Sequence, residues 1–288
     1  MTMTSSSMCY LNGEYLPLDE AKVSVLDRGF IFGDGVYEVI PVFNNKLFRI
    51  NEHLTRLQNS LDAIKVSNPN TNNMWCDILN KLVSQHVDSE LSVYIQVTRG
   101  VAPRDHAFPD AGNTTVFIMA NPMQAVATDV IENGIEAITL DDIRWQFCNI
   151  KAISLLPNIL LKQQAVEKGA TEAILIRDGN VSEGTASNAF IVKNGVITTP
   201  PKTSMLLPGI TRDLVVELAH QHNLPCEEKA ITESELRLAD EIWLTSSTKD
   251  IVAVTQLDKQ QIGNRKPGEI YRKMLGLFQD FKKQLMTQ

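Results

Sequence analysis

Two periods of apolar residues coexist in the first hundred positions, and that combination restricts the chain to architectures that mix sheet and helix. Leu91, Val93, Ile95 and Val97 alternate with polar neighbours, the period of two required of a strand with one buried face. Leu54, Leu57, Leu61 and Ile64 recur at steps of three and four, which predicts an amphipathic helix from Glu52, with Pro69 beyond its end. A second helix fits Trp75 to Val87. Strands are expected at Met8–Leu11, Tyr37–Phe43, Leu47–Ile50 and Thr115–Ala120, with a turn at Asn12-Gly13 and a hairpin closed by Asn44-Asn45.

The second half reads in the same mixed way. Runs at Glu172–Ile176 and Ser187–Val192, with turns at Asp178-Gly179 and Asn194-Gly195, predict a meander of strands behind a helix from about Asn158 to Gly169. A helix is expected from Thr211 to His222, stopped by Asn223 and Pro225. Thr232 with Glu235 has the spacing of a capping box, Glu241–Thr245 reads as a buried strand, and a terminal helix starts near Pro267. A chain of 288 residues exceeds the usual ~100–200 residues of one domain. The turn-like stretch Asn121-Pro122-Met123-Gln124 marks the boundary, giving a domain over 1–121, a linker over 122–128 and a domain over 129–288.

Composition removes several function classes. A net charge of −7, from 27 basic and 34 acidic residues, supplies no basic field for nucleic acid. No apolar run approaches the ~20 residues that span a bilayer, and the N-terminus lacks a signal-peptide pattern, so a cytoplasmic protein without a membrane partner is expected. Cys9, Cys76, Cys148 and Cys226 stand far apart, which implies reduced thiols and no metal site. Cys148, three residues from Lys151, either lines a site or is a small buried hydrophobe.

Candidate chemistry lies in Arg104-Asp105-His106, Lys151, Glu183, Gly209-Ile210-Thr211 and Ser246-Ser247. Lys151 sits between apolar stretches, where an ammonium is costly and a desolvated neutral amine is nucleophilic, although a lysine snorkelling from a strand end has the same local pattern. The segment Leu207 to Arg212 opens a helix, whose first N–H groups either bind an anion or are capped by Thr211. Taken alone, Arg56 is a surface charge on a helix, Glu183 a turn residue and Leu207 a core leucine.

Taken in order, seven segments resemble the fold-type IV, or class IV, pyridoxal-phosphate aminotransferases over nearly the whole chain: DRGFIFGDGVYEV (Asp27 to Val39), NEHLTRL (Asn51 to Leu57), TRGVAPRDHAFP (Thr98 to Pro109), CNIKAIS (Cys148 to Ser154), VSEGTASNAF (Val181 to Phe190), LLPGITRD (Leu206 to Asp213) and WLTSST (Trp243 to Thr248). The resemblance implies an α+β fold of two domains, a small N-terminal α/β domain and a larger C-terminal one with a β-barrel-like core. It implies pyridoxal 5'-phosphate bound to Lys151 as a Schiff base, with Lys151 also carrying the α-proton. Glu183 then partners the pyridine nitrogen. Arg56, Ile210, Thr211, Ser246 and Ser247 hold the phosphate, and Leu207 packs on the cofactor.

Within that family the D-amino acid transaminases carry an Arg-x-His pair and a tyrosine that hold the substrate's α-carboxylate, here Arg104, His106 and Tyr37, with Val39 beside them. The resemblance implies transamination between a D-amino acid such as D-alanine and 2-oxoglutarate or pyruvate. It also implies a homodimer in which the Arg104–His106 loop reaches the partner's site. Branched-chain L-amino acid aminotransferases, (R)-amine transaminases and aminodeoxychorismate lyase share the cofactor and stay open as alternatives. Arg28 and Asp34 read as turn residues that fix Tyr37, and Met1 to Ser7 as an N-terminal extension.

Overall fold

The computed structural model describes residues 7–110 and 114–287, so most of the N-terminal extension, residues 1–6, lies outside the described residues. The chain divides into two compact units, Met1–Gln124 with Ile150–Ser154, and Ala125–Asn149 with Leu155–Gln288.

The first unit contains β1 (Met8–Leu11), β2 (Glu14–Pro17), α1 (Arg28–Phe32), β3 (Gly35–Phe43), β4 (Lys46–Leu47), α2 (Ile50–Ala63), α3 (Asn72–Val83), β5 (Leu91–Thr98) and β6 (Thr115–Pro122). Its antiparallel sheet has the order β2-β1-β6-β5-β3-β4. Alternation decides which face is covered. Val36, Ile40 and Val42, with Val93, Ile95 and Val97 and with Val116 and Ile118, pack against Leu54, Leu57 and Leu61 of α2 and Trp75, Leu79 and Leu82 of α3. Asn12-Gly13 and Asn44-Asn45 all take positive φ, the conformation that closes tight hairpins and that Asn and Gly tolerate. The helix expected over Trp75–Val87 starts earlier, because Thr71 Oγ1 accepts from Met74 N, and ends at Val83.

The second unit contains α4 (Thr128–Asn133), β7 (Ile135–Asp141), α5 (Leu156–Glu167), β8 (Glu172–Arg177), β9 (Asn180–Gly184), β10 (Asn188–Lys193), β11 (Val196–Thr199), α6 (Ile210–Gln221), β12 (Cys226–Glu228), α7 (Glu233–Arg237), β13 (Glu241–Ser246), β14 (Asp250–Leu257), β15 (Gln260–Gln261) and α8 (Glu269–Thr287). The sheet order is β12-β11-β10-β13-β14-β7-β8-β9, with β15 on β14. It curls into a half-barrel, bringing β9 back beside β10 where Gly184 N donates to Ser187 O at 2.6 Å. The curled sheet encloses Ile174, Ile191, Ile242, Leu244 and Val254, the barrel-like core expected of the larger domain.

Capping chemistry fixes the helix starts here too. The Thr232–Glu235 box opens α7 as its spacing predicts. The Glu241 carboxylate accepts from Ile270 N at 3.0 Å and Tyr271 N at 2.8 Å, so α8 begins against the sheet. Six strands of this unit, β7, β9, β11, β12, β14 and β15, have no range in the sequence reading. β9 separates Glu172–Arg177 from Asn188–Lys193, and β7 and β14 pair in parallel in mid-sheet; in β14 burial on both faces erases alternation, while in β7 only Ala137 and Ile138 are buried.

Candidate active site

Lys151 lies on a short extended segment that runs antiparallel to the start of β3. Tyr37 N donates to Lys151 O at 2.9 Å, Ile153 N to Gly35 O at 3.1 Å, and Val36 bridges Ala152. Lys151 N donates to Ser60 Oγ of α2 at 3.2 Å, so the lysine backbone is held on both sides. Its Nζ then lies 4.2 Å from the centre of the Tyr37 ring. Tyr37 and Val39 share the half-buried face of β3 with Tyr94 and Gln96 of β5, their cross-strand partners. Tyr37 stacks on Tyr94 at 5.6 Å, and burial pushes the Tyr94 phenol up to about 12.

The opposite face of β3 carries a charge. Glu38 is fully buried among aliphatic neighbours and accepts from Arg56 Nε at 2.7 Å and Nη2 at 2.8 Å, while His53 Nδ1 lies 2.9 Å from its second oxygen. Burial alone would raise the carboxyl, but the Arg56 guanidinium outweighs it and holds Glu38 well below the usual carboxylate range. Burial lowers His53, and its Nε2 is buried without a hydrogen-bond partner. Arg56, a surface charge when its helix is read alone and a phosphate ligand by resemblance, is a buried cation clamped bidentately from β3.

In the second unit Glu183 projects from β9 and is buried. Its Oε1 accepts from Arg144 Nη1, and its Oε2 from Leu207 N at 3.1 Å and Asn188 Nδ2 at 3.2 Å. Arg144 is in turn held by both oxygens of Asp142, at 2.9 and 2.8 Å, and Ser182 Oγ donates to Asp142 at 2.8 Å. Burial raises Glu183 to about 6 against the pull of Arg144; in Asp142, burial is outweighed by Arg144 and the carboxyl falls to about 2.

Asn188 connects this carboxylate to the start of α6, since its Nδ2 also donates to Leu207 O at 2.8 Å. Gly209 is the N-cap of α6, and no side chain caps that end, so the first N–H groups of the helix take no side-chain acceptor there. Asn188 also pairs with Thr245, so the Ser246-Ser247 turn leaves the sheet beside the strand end from which Asn188 reaches Leu207. Thr245 Oγ1 is buried there without a partner.

Arg104 and His106 occupy an exposed loop of the first unit. The Phe32 ring meets His106 edge-on at 5.6 Å, and the Arg104 guanidinium lies 5.5 Å from the same ring. Cys148 is a buried thiol donating to Trp145 O at 3.2 Å, raised by burial, which matches a packing role.

The groups present are of the kinds pyridoxal phosphate takes: in the first unit the Lys151 amine, and in the second a buried carboxylate at Glu183, a helix start without a side-chain cap and an orphaned hydroxyl at Thr245. The sequence reading missed Glu38, Arg144, Asp142 and Asn188. Only Glu38 left a local signal, a charge on the apolar side of a strand that alternates with Val36, Ile40 and Val42.

Residues 35–257 match the family model described as amino-transferase class IV. Over 259 residues the chain is 42% identical to a D-alanine aminotransferase of Bacillus licheniformis, an alignment covering 90% of this chain and 91% of that protein. A D-alanine aminotransferase of Staphylococcus aureus strain MW2 is 38% identical over 272 residues, covering 94% of this chain and 96% of the other. The crystal structure of a branched-chain amino acid aminotransferase of Escherichia coli superposes with a TM-score of 0.90 at 27% identity, covering 95% of each chain.

Proposed function

This chain belongs to the class IV aminotransferase family, and from that membership we propose that it moves the amino group of a D-amino acid such as D-alanine to an α-keto acid such as 2-oxoglutarate or pyruvate. Pyridoxal phosphate supplies the electron sink that makes an α-proton removable. Lys151 would be its attachment point, and the Lys151 amine would take the proton from the substrate's α-carbon as general base and return it to a different carbon as general acid. The Tyr37 ring limits where that amine can swing. Glu183, fixed by Arg144, Leu207 N and Asn188, keeps a proton on the ring nitrogen. The Ile210 and Thr211 N–H groups, the Ser246-Ser247 turn and the Arg56 cation bind the phosphate, and Leu207 packs against the ring.

Arg104, His106 and Tyr37 hold the α-carboxylate, and Val39, on the Tyr37 face of β3, borders the substrate side chain. The working assembly in this reading is a cytoplasmic homodimer whose Arg104–His106 loops complete each other's sites. Exposed Val25, Phe30, Val101 and Phe108 on the same unit support such an interface. No described helix is long and apolar enough to cross a membrane. The likeness to D-alanine aminotransferases, with Lys151 held as described, carries the reading.

The test gives cofactor-loaded protein 2-oxoglutarate with D-alanine, L-alanine or L-leucine. Pyruvate from D-alanine alone is expected. Turnover of L-leucine instead would overturn the carboxylate trap, and silence with all three would overturn the D-amino acid reading in favour of an (R)-amine transaminase or a lyase. Borohydride reduction and peptide mass analysis should place the cofactor on Lys151; attachment elsewhere removes that lysine's role.

A further inference from the structure

The loop bearing Arg104 and His106 is a poor binding element on its own. Residues 103–108 are all exposed, and an unanchored loop must be ordered when substrate arrives, at a cost in affinity. One buried cation meets it in the middle. Arg28, 4% exposed, donates from Nη1 to Asp105 O at 2.6 Å and to Ala107 O at 3.4 Å, the carbonyls on either side of His106.

Arg28 is itself fixed. Its Nε donates to Asp34 Oδ2 at 2.8 Å, and that carboxylate also takes Arg99 Nε at 2.7 Å and Nη2 at 3.0 Å. Arg99 lies 3.7 Å over the ring of Phe108, at the far end of the loop. The loop's two stems are tied to the same element. Arg28 N donates to Gly100 O at 2.9 Å, and Thr115 Oγ1 donates to Asp27 Oδ2 at 2.6 Å while Asp27 Oδ1 caps α1. At the other end of α1, Phe32 carries Arg104, His106 and the Arg28 guanidinium around one ring, the last at 4.8 Å.

We propose that Arg28, held by Asp34, is a positioning residue for substrate binding: it pins the peptide units flanking His106 so that Arg104 and His106 face a carboxylate already arranged, with Phe32 as their common platform. Asp34 and Arg28 thus act on the loop, beyond the turn role their sequence implied. The guanidinium fork matters here, because one planar group serves a carboxylate and two carbonyls that a lysine ammonium cannot reach together. The inference rests on the reading that Arg104 and His106 bind the substrate carboxylate.

Steady-state kinetics of the cofactor-loaded enzyme separate the two. Arg104→Gln should raise KM for D-alanine about tenfold or more, the scale of one charge-assisted hydrogen bond. Arg28→Lys should raise KM by a similar factor while kcat and the cofactor absorption stay near the parent's. In the double variant the second change should add nothing to the first, since both act through one loop. An unchanged KM in Arg104→Gln overturns the carboxylate reading itself. A raised KM in Arg104→Gln beside an unchanged KM in Arg28→Lys, a loss confined to kcat, or additive losses in the double variant overturns the positioning role and leaves that reading intact. Should Arg28→Lys not fold, Phe32→Leu decides, because it removes the platform without breaking an ion pair: a KM for D-alanine raised about threefold or more supports the role, and an unchanged one overturns it.

Discussion

Arg56 and Glu38 form a buried bidentate pair, with Nε and Nη2 of the arginine 2.7 and 2.8 Å from the two carboxylate oxygens. Glu38 has no surface exposure, so removing it takes a bidentate carboxylate from the buried Arg56 cation. Glu38→Ala should cost about 3–5 kcal/mol in urea unfolding and weaken cofactor retention. Because Glu38 is held below the usual carboxylate range, its contribution is present above the unfolded pKa of about 4.3 and is lost as pH falls toward the folded value. The variant should therefore lose part of the parent's acid-unfolding slope, and an unaltered slope would remove the pair from that account.

Glu183 titrates in the opposite sense. Burial raises it to about 6 despite Arg144, so the cofactor-free fold favours its protonated form. That contribution is complete below the unfolded pKa of about 4.3 and is lost as pH rises through about 6, a swing of about 2 kcal/mol. Urea unfolding of cofactor-free protein at pH 5 and pH 7.5 should show the parent losing about 1 kcal/mol more stability than Glu183→Gln over the interval, the rest of the swing lying below pH 5. Parallel curves would mean that Arg144 dominates the site. In loaded enzyme the same substitution should lower kcat by roughly a hundredfold, as expected for loss of a preorganised electrostatic partner.

Gly209 is packed so closely that a Cβ there would clash with Asn188 Oδ1. Gly209→Ala forces Asn188 away from Leu207 O and Glu183, and should cost about 1–3 kcal/mol. Asn188→Ala breaks the same tie without the clash. Both should release cofactor faster on dialysis. If Asn188→Ala keeps the parental release rate, the link between the carboxylate and the helix start has no part in binding.

Much of the fold could be read from local pattern. The α2 stripe, the β5 alternation, the Asn-Asn and Asn-Gly turns and the Thr232 capping box are short-range features, set by backbone sterics and by which side chains recur on one face. β7, β9 and β14 were not legible. β14 is buried in mid-sheet, where the apolar run has no period; β7 has only Ala137 and Ile138 buried; and β9 is only five residues long with a carboxylate inside it.

By itself the sequence determined the secondary-structure periods, the mixed class, and, through ordered motifs, the family and the residues expected at its site. Only the tertiary structure decided the partners of those residues. Arg56 with Glu38, Glu183 with Arg144 and Asn188, and Arg28 with the Asp105 and Ala107 carbonyls are separated by 18, 39, 5, 77 and 79 positions. Such pairings depend on sheet register and on the burial that makes an unpartnered charge too costly to keep, and neither is written in any local stretch of residues.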